Sequence, residues 1–85
     1  MMKWHFPLAR FAKKYNVKKQ IRSILNEIAE FEEETDLDKK ASEVVDVLHS
    51  AETLVRMFFL KYPLLSFSQK KIETIQKNKK RGYYR

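Results

Sequence analysis

The stretch "EIAEFEEETDLDKKASEVVD", residues 27–46, joins two helical patterns through a short break. Glu27 and Glu30 are three residues apart in its first part, and Glu43 and Asp46 have the same spacing in its last part. Residues three apart lie on one face of an α-helix. The break at 35–38 has the composition of a turn with helix-capping residues. The stretch therefore predicts two helices joined by about four residues, which makes them antiparallel neighbours.

Outward from this stretch, the whole chain is typical of an all-α protein. One Gly and two Pro occur in 85 residues, and no segment alternates polar and apolar residues for long. We predict helices over residues 17–34, 39–61 and 66–80, with Asn16 as the first N-cap. Ser66 with Gln69 has the spacing of a capping box, and Gly82 suits the left-handed position after the last helix.

Apolar residues cover more than one face of the second predicted helix. Its main stripe packs with the apolar residues of the first helix, whereas a second set points elsewhere. A three-helix monomer cannot cover both sets, so we expect a homo-oligomeric helical bundle, a dimer or a tetramer. The second set consists of Val47, Met57, Phe59 and Leu60.

The two acidic pairs are predicted to meet. Glu30 and Glu43 are equally distant from the middle of the predicted turn, and so are Glu27 and Asp46. Four carboxylates at matching heights repel one another unless they bind protons or cations. Mg²⁺, or alternatively Mn²⁺, prefers such oxygen ligands. We therefore expect these four acids to form a metal site.

Composition limits the protein class. The 85 residues indicate one domain, 1–85, and the lack of cysteine excludes disulfides and thiolate zinc sites. No signal-peptide pattern or membrane-spanning run is found, which predicts a cytoplasmic protein without a membrane partner. Residues 1–22 carry seven Lys/Arg and no acid, whereas residues 23–56 carry ten acids against three bases. This acidic centre makes nucleic acid an unexpected partner, although a basic helical nucleic-acid-binding module remains the alternative function.

The spacing Glu27-x-x-Glu30, twelve residues, Glu43-x-x-Asp46, followed by "KNKKRGYY" at 77–84, resembles the MazG-like all-α nucleoside triphosphate pyrophosphohydrolases, in particular small phage-type members. The resemblance implies hydrolysis of a (deoxy)nucleoside triphosphate to the monophosphate and pyrophosphate, in nucleotide-pool house-cleaning or control. It also implies that the four acids hold Mg²⁺ and act in catalysis. Asn26 stands where many members have a further Glu.

Both ends of the chain supply candidate substrate contacts. In the basic tail, residues 77–85, we expect Lys77, Asn78 and Arg81 to hold phosphates and Tyr83 to touch the substrate. In the N-terminal arm, residues 1–16, Trp4 could stack on a base or pin the arm to the core. Asp46-x-x-His49 also has the spacing of di-iron sites, which leaves iron or manganese redox chemistry as a less favoured reading.

Overall fold

The computed structural model describes residues 4–84 of the chain. Within this range the structure consists of helices without β-strands, which confirms the predicted all-α class. None of the described helices is both long and apolar enough to cross a membrane. Residues 1–3 of the predicted arm and residue 85 of the predicted tail lie outside the described residues. The elements are a 3₁₀ helix, Arg10–Lys14, followed by α1, Val17–Glu33, α2, Leu37–Lys61, and α3, Phe67–Lys80.

The starts of α1 and α2 are set by side-chain caps. The Asn16 side chain accepts a hydrogen bond from the Lys19 N–H at 3.1 Å, which confirms the predicted cap of α1. α2 begins at Leu37, two residues earlier than predicted. The reason is that Asp36 is its N-cap and accepts from the Lys39 N–H at 3.0 Å, so the turn is shorter than 35–38.

The start of α3 agrees with the predicted cap but not with the predicted capping box. Ser66 Oγ accepts from the Gln69 N–H at 3.1 Å. The Gln69 side chain does not reach back to the cap; its amide donates forward to Glu73 at 3.1 Å. The Gln69 amide therefore bonds the carboxylate four residues later in the helix instead of the backbone of the cap.

The end of α3 is closed as the sequence predicted. Gly82 has φ +78°, a conformation that glycine adopts without steric cost. Its N–H bonds the Lys79 carbonyl at 3.1 Å, and the Tyr83 N–H bonds the Asn78 carbonyl at 3.0 Å. This pair of bonds is a Schellman motif, and it turns the chain sharply after α3.

Polar groups lie between α1 and α2. At one end of the contact, the Gln20 amide donates to the Ser50 carbonyl at 2.9 Å. Near the turn, the Lys40 ammonium donates to the Glu34 carbonyl at 3.4 Å and lies 4.4 Å from the centre of the Phe31 ring. The most buried side chain of α1 is Gln20, with 4% exposed. The face that α1 presents to α2 is thus more polar than the apolar stripe indicated.

The apolar stripes are largely left uncovered. Within residues 4–84, only the apolar side chains of Ala12 and Met57 are buried. The expectation that Met57 belongs to a surplus, outward-facing set is wrong, because it is only 1% exposed and lines the same cavity as Gln20. Val47 and Phe59 are half-buried as well. Of the predicted set only Leu60 is exposed. The other exposed large apolar residues of the two helices are Ile21, Leu25 and Ile28 on α1 and Leu37, Val44, Val45, Leu48 and Phe58 on α2.

The accessible surface of the chain is large for its mass. It amounts to 7339 Å² for 10.3 kDa. Folded monomers of this mass expose about 5,350 Å² on the usual scaling. The difference, about 2,000 Å², is comparable to what one subunit buries in an obligate oligomer.

A buried carboxylate fastens the N-terminal arm to α2. Glu52, 8% exposed, accepts hydrogen bonds from the backbone N–H groups of His5 (3.0 Å) and Phe6 (2.9 Å), and its Oε2 lies 3.0 Å from His5 Nδ1. Arg56 donates to the Phe6 carbonyl at 2.6 Å. The Trp4 ring then stacks on Phe67 of α3, with ring centres 5.1 Å apart. The arm thereby ties the start of α3 to α2.

Candidate functional site

The four predicted carboxylates lie in the second half of α1 and the first half of α2, in two kinds of surroundings. Glu30 and Asp46 are exposed, whereas Glu27 and Glu43 are half-buried. Glu27 accepts a hydrogen bond from the Ser50 hydroxyl. Glu43 Oε2 is fully buried and has no hydrogen-bond partner. The last observation is unusual, because buried carboxylate oxygens are nearly always paired.

The surroundings of Glu43 disfavour its charge. Burial raises the pKa of the Glu43 carboxyl above its ordinary value of 4.5, and the nearby carboxyl of Glu30 raises this pKa further. The charges of Asp46 and Glu34 act in the same direction. A cation among the carboxylates would oppose all of these causes, because an adjacent positive charge favours the ionised form.

Among the carboxyls that raise the Glu43 pKa, that of Glu30 has the largest effect, through a hydrogen bond and through its charge. Glu27 accepts its hydrogen bond from Ser50 of α2. In residues 4–84, no three side chains of the His, Cys, Asp and Glu type converge closely enough to form a ready set of metal ligands. The charges of Glu30, Asp46 and Glu34 therefore act on Glu43, but the acids of the described residues do not point at one shared position.

Glu34 belongs to this acidic group although it lies outside the predicted motif. It is the C-cap of α1, directly after the helix ends at Glu33. Its carboxylate also accepts the N–H groups of Thr35 and Asp36, each at 3.0 Å, and so braces the turn. Its position next to the turn, four residues after Glu30, was the signal that could have identified it.

The predicted phosphate-binding residues lie at the far end of α3. Lys77 and Asn78 are in its last turn, and Arg81 is its C-cap. Their described side-chain contacts are local: the Asn78 amide lies 3.5 Å from the Tyr84 hydroxyl, and the Arg81 guanidinium lies 5.8 Å from the centre of the Tyr83 ring. Nothing in these contacts links the tail to the acids of the same chain.

Trp4 is held in the arm. Besides stacking on Phe67, its ring lies 4.9 Å from the guanidinium carbon of Arg56. Of the two predicted roles of Trp4, stacking on a base or holding the arm to the core, these contacts correspond to the second. His49, the residue of the di-iron reading, stacks with the Phe6 ring at 4.6 Å between centres.

A cavity of about 470 Å³ lies beside the start of α1. Two cationic side chains, Lys14 and Lys19, contribute to its wall, and no acid does. Gln20, which also lines it, lies on the same α1 face as Glu27, two helical turns away. The sequence did not reveal this cavity, because its walls come from the 3₁₀ helix, α1 and α2. The other lining residues are Phe11, Asn16, Ser23 and Met57.

The sequence matches no protein-family model and no curated protein, and no solved structure matches the chain.

Proposed function

We propose that the protein hydrolyses a (deoxy)nucleoside triphosphate to the monophosphate and pyrophosphate, with Mg²⁺ or Mn²⁺ bound by Glu27, Glu30, Glu43 and Asp46. The observation that supports this most is the buried Glu43 oxygen without a partner, surrounded by further carboxylates. A folded protein seldom leaves such a group unpaired unless a ligand uses it. Oxygen atoms alone, without cysteine, suit hard divalent cations.

The chain's own residues divide the work in this proposal. Glu27, already fixed by Ser50, and the buried Glu43 supply the inner ligands. Glu30 and Asp46 are exposed on α1 and α2, so their side chains are accessible to an arriving metal–nucleotide complex. One acid, Glu30 or Glu43, orients the attacking water and accepts its proton. A metal ion held by these acids would supply charge neutralisation for the triphosphate. The water oxygen bonds to phosphorus as the P–O bond between the α and β phosphates breaks, which gives the monophosphate and pyrophosphate.

Two basic regions supply candidate contacts for the rest of the substrate. Lys77, Asn78 and Arg81 hold the β and γ phosphates, with Tyr83 beside them, if the tail approaches the acids in the assembled protein. The cavity beside α1 receives the nucleoside, because it combines apolar walls with amides and lies on the Glu27 face. Trp4 remains a predicted contact whose described partners are Phe67 and Arg56.

The same proposal includes a homo-oligomer of helical hairpins. Leu25 is 59% exposed on α1, and Val44, Val45 and Leu48 are about half exposed on α2. Together with the surplus of about 2,000 Å² over the usual monomer surface, this favours a second copy as the cover. We expect light scattering to give the mass of a dimer or tetramer at micromolar concentration. A monomer mass with full activity would contradict the assembly.

A substrate panel tests the function. Each common nucleoside and deoxynucleoside triphosphate is incubated with the protein and Mg²⁺, and the products are resolved as mono- or diphosphate. We expect monophosphate and pyrophosphate from at least one substrate, and none when a chelator removes Mg²⁺. Orthophosphate and diphosphate would exclude α–β cleavage. Salt-sensitive DNA binding without turnover, unchanged by Glu43→Gln, would favour the nucleic-acid-binding alternative.

A further inference from the structure

A polar side chain occupies the position on α1 where an apolar one would be cheaper to bury. Gln20 is 4% exposed, and its Nε2 donates to the main-chain carbonyl of Ser50 at 2.9 Å. A carbonyl oxygen has two lone pairs, so Ser50 can accept this bond and keep its own helical bond. The bond fixes α2 against α1 at this one residue.

The side chain of Ser50 points from this fixed position to the acidic site. Its hydroxyl donates to Glu27 Oε1. Ser50 also lies seven residues after Glu43, which puts the two on one face of α2. Two consecutive hydrogen bonds thus connect the most buried residue of α1, through Ser50, to a candidate metal ligand on the same helix.

We infer that Ser50, held in place by Gln20, is a positioning residue that presents the Glu27 carboxylate to the divalent cation. The inference rests on the proposed function. A free glutamate side chain samples many rotamers, and ordering it on metal binding costs conformational entropy. A hydroxyl bonded to Oε1 removes part of that freedom in advance and leaves Oε2 available to the cation. Partners of this kind typically change metal affinity by about 10–100-fold.

The experiment measures binding of Mn²⁺ alone by electron paramagnetic resonance. Four proteins are compared: the parent, Ser50→Ala, Ser50→Thr and the control Ser42→Ala, which changes an exposed serine on the same helix. We expect Ser50→Ala to bind Mn²⁺ about 10–100-fold more weakly and to alter the spectrum of the bound ion. Ser50→Thr, which keeps a hydroxyl, and Ser42→Ala should behave like the parent.

A fifth variant, Gln20→Met, tests the other bond and serves if Ser50→Ala fails to fold by circular dichroism. It keeps the side-chain volume and removes the donor, so we expect weaker Mn²⁺ binding than in the parent. If Ser50→Ala folds and binds Mn²⁺ like the parent, the inference is overturned and the proposed function stands. If Ser50→Ala does not fold, parent-like binding in Gln20→Met has the same meaning. Ser50→Thr as weak as Ser50→Ala would also overturn it. If the parent itself bound no Mn²⁺, the proposed function would fail, and the inference with it.

Discussion

Glu43 and Glu52 lie on the same helix, nine residues apart, in opposite surroundings. Glu52 is buried, yet two backbone N–H groups and the His5 ring face its carboxylate. Burial raises the pKa of Glu52, but these hydrogen bonds outweigh it and leave the pKa below its ordinary value. Glu43 has a buried oxygen without a donor, other carboxylates nearby and a raised pKa.

The difference separates a structural acid from a candidate functional one. The hydrogen bonds to Glu52 are complete within the chain, so its charge stabilises the fold and needs no ligand. The charge of Glu43 is opposed by its surroundings, so only a proton or a cation can relieve it. Nine residues place the two acids on opposite sides of α2, so each meets different neighbours.

The largest effect should come from the unsatisfied acid. Glu43→Gln should abolish triphosphate turnover while the helical content stays unchanged, because the amide cannot replace the carboxylate as a cation ligand. Changing Glu27, Glu30 or Asp46 to the amide should have similar consequences, and the losses should not add up, since the four act as a unit. Product analysis with Mg²⁺ checks this.

Glu32→Gln is the control for that experiment, because Glu32 is an exposed acid on the same stretch of α1. It should retain parent activity. Full turnover in Glu43→Gln would show that Glu43 is not a metal ligand. The contrast with Glu52 would then be a difference in stability alone.

The next largest effect should come from the satisfied acid. Glu52→Ala leaves the N–H groups of His5 and Phe6 without their acceptor, which should lower the free energy of unfolding by about 3 kcal/mol. Urea denaturation at fixed protein concentration measures it. The fluorescence of Trp4, the single tryptophan, should change as well, because its stacking on Phe67 depends on the arm.

Glu73→Ala is the matched control, since it removes an exposed α3 carboxylate with local partners at Gln69 and Lys70. It should change stability far less. If Glu52→Ala unfolded at the parent's urea concentration, the arm would not be held by this carboxylate.

A smaller effect is expected at the tail. Arg81→Ala should weaken binding of a non-hydrolysable triphosphate by about 1.5 kcal/mol, the loss of one charge-assisted hydrogen bond. Binding of Mn²⁺ alone should stay at the parent level, because the cation belongs to the Glu43 region. Calorimetry measures both, and Lys39→Ala, at an exposed position on α2, is the control. Equal triphosphate affinities would show that the tail does not grip phosphate.

The smallest effect concerns pH in the absence of metal. The Glu52 pKa is lowered in the folded protein. Its contribution to the free energy of unfolding is therefore fully present above about pH 4.5 and is lost as the pH falls through that lowered pKa. The Glu43 pKa is raised in the folded protein. Its charge therefore lowers the free energy of unfolding only as the pH rises from 4.5 through the raised pKa, and has no such effect at low pH.

Melting temperatures of the parent, Glu43→Gln and Glu52→Gln between about pH 3 and 8 measure these opposite trends. Glu43→Gln should become more stable relative to the parent as the pH rises, and Glu52→Gln less stable. Parallel curves for the two variants would contradict the contrast between the two acids. Added Mg²⁺ should reverse the first trend, because it stabilises only the parent.

The sequence by itself determined the local features of this protein. Asn16 and Ser66 cap helices because a short polar side chain can reach an N–H group three residues on. Gly82 ends α3 because its left-handed conformation is costly for other residues. The prediction that Glu30 and Glu43 lie at the same height followed from their equal distance from the turn in sequence. Each of these needs only residues close in sequence or a simple count along helices.

Only the tertiary structure decided which helix faces meet and which acids are satisfied. Periodicity tells that residues share a face, but not which face lies inward, and here Gln20 and Met57 are buried while Leu25 is exposed. The donors to Glu52 come from more than 40 residues away in sequence, and Ser50 reaches Glu27 across the helix contact. Such partners depend on the packing of separate segments, so no local pattern encodes them, and the same packing leaves Glu43 without a donor.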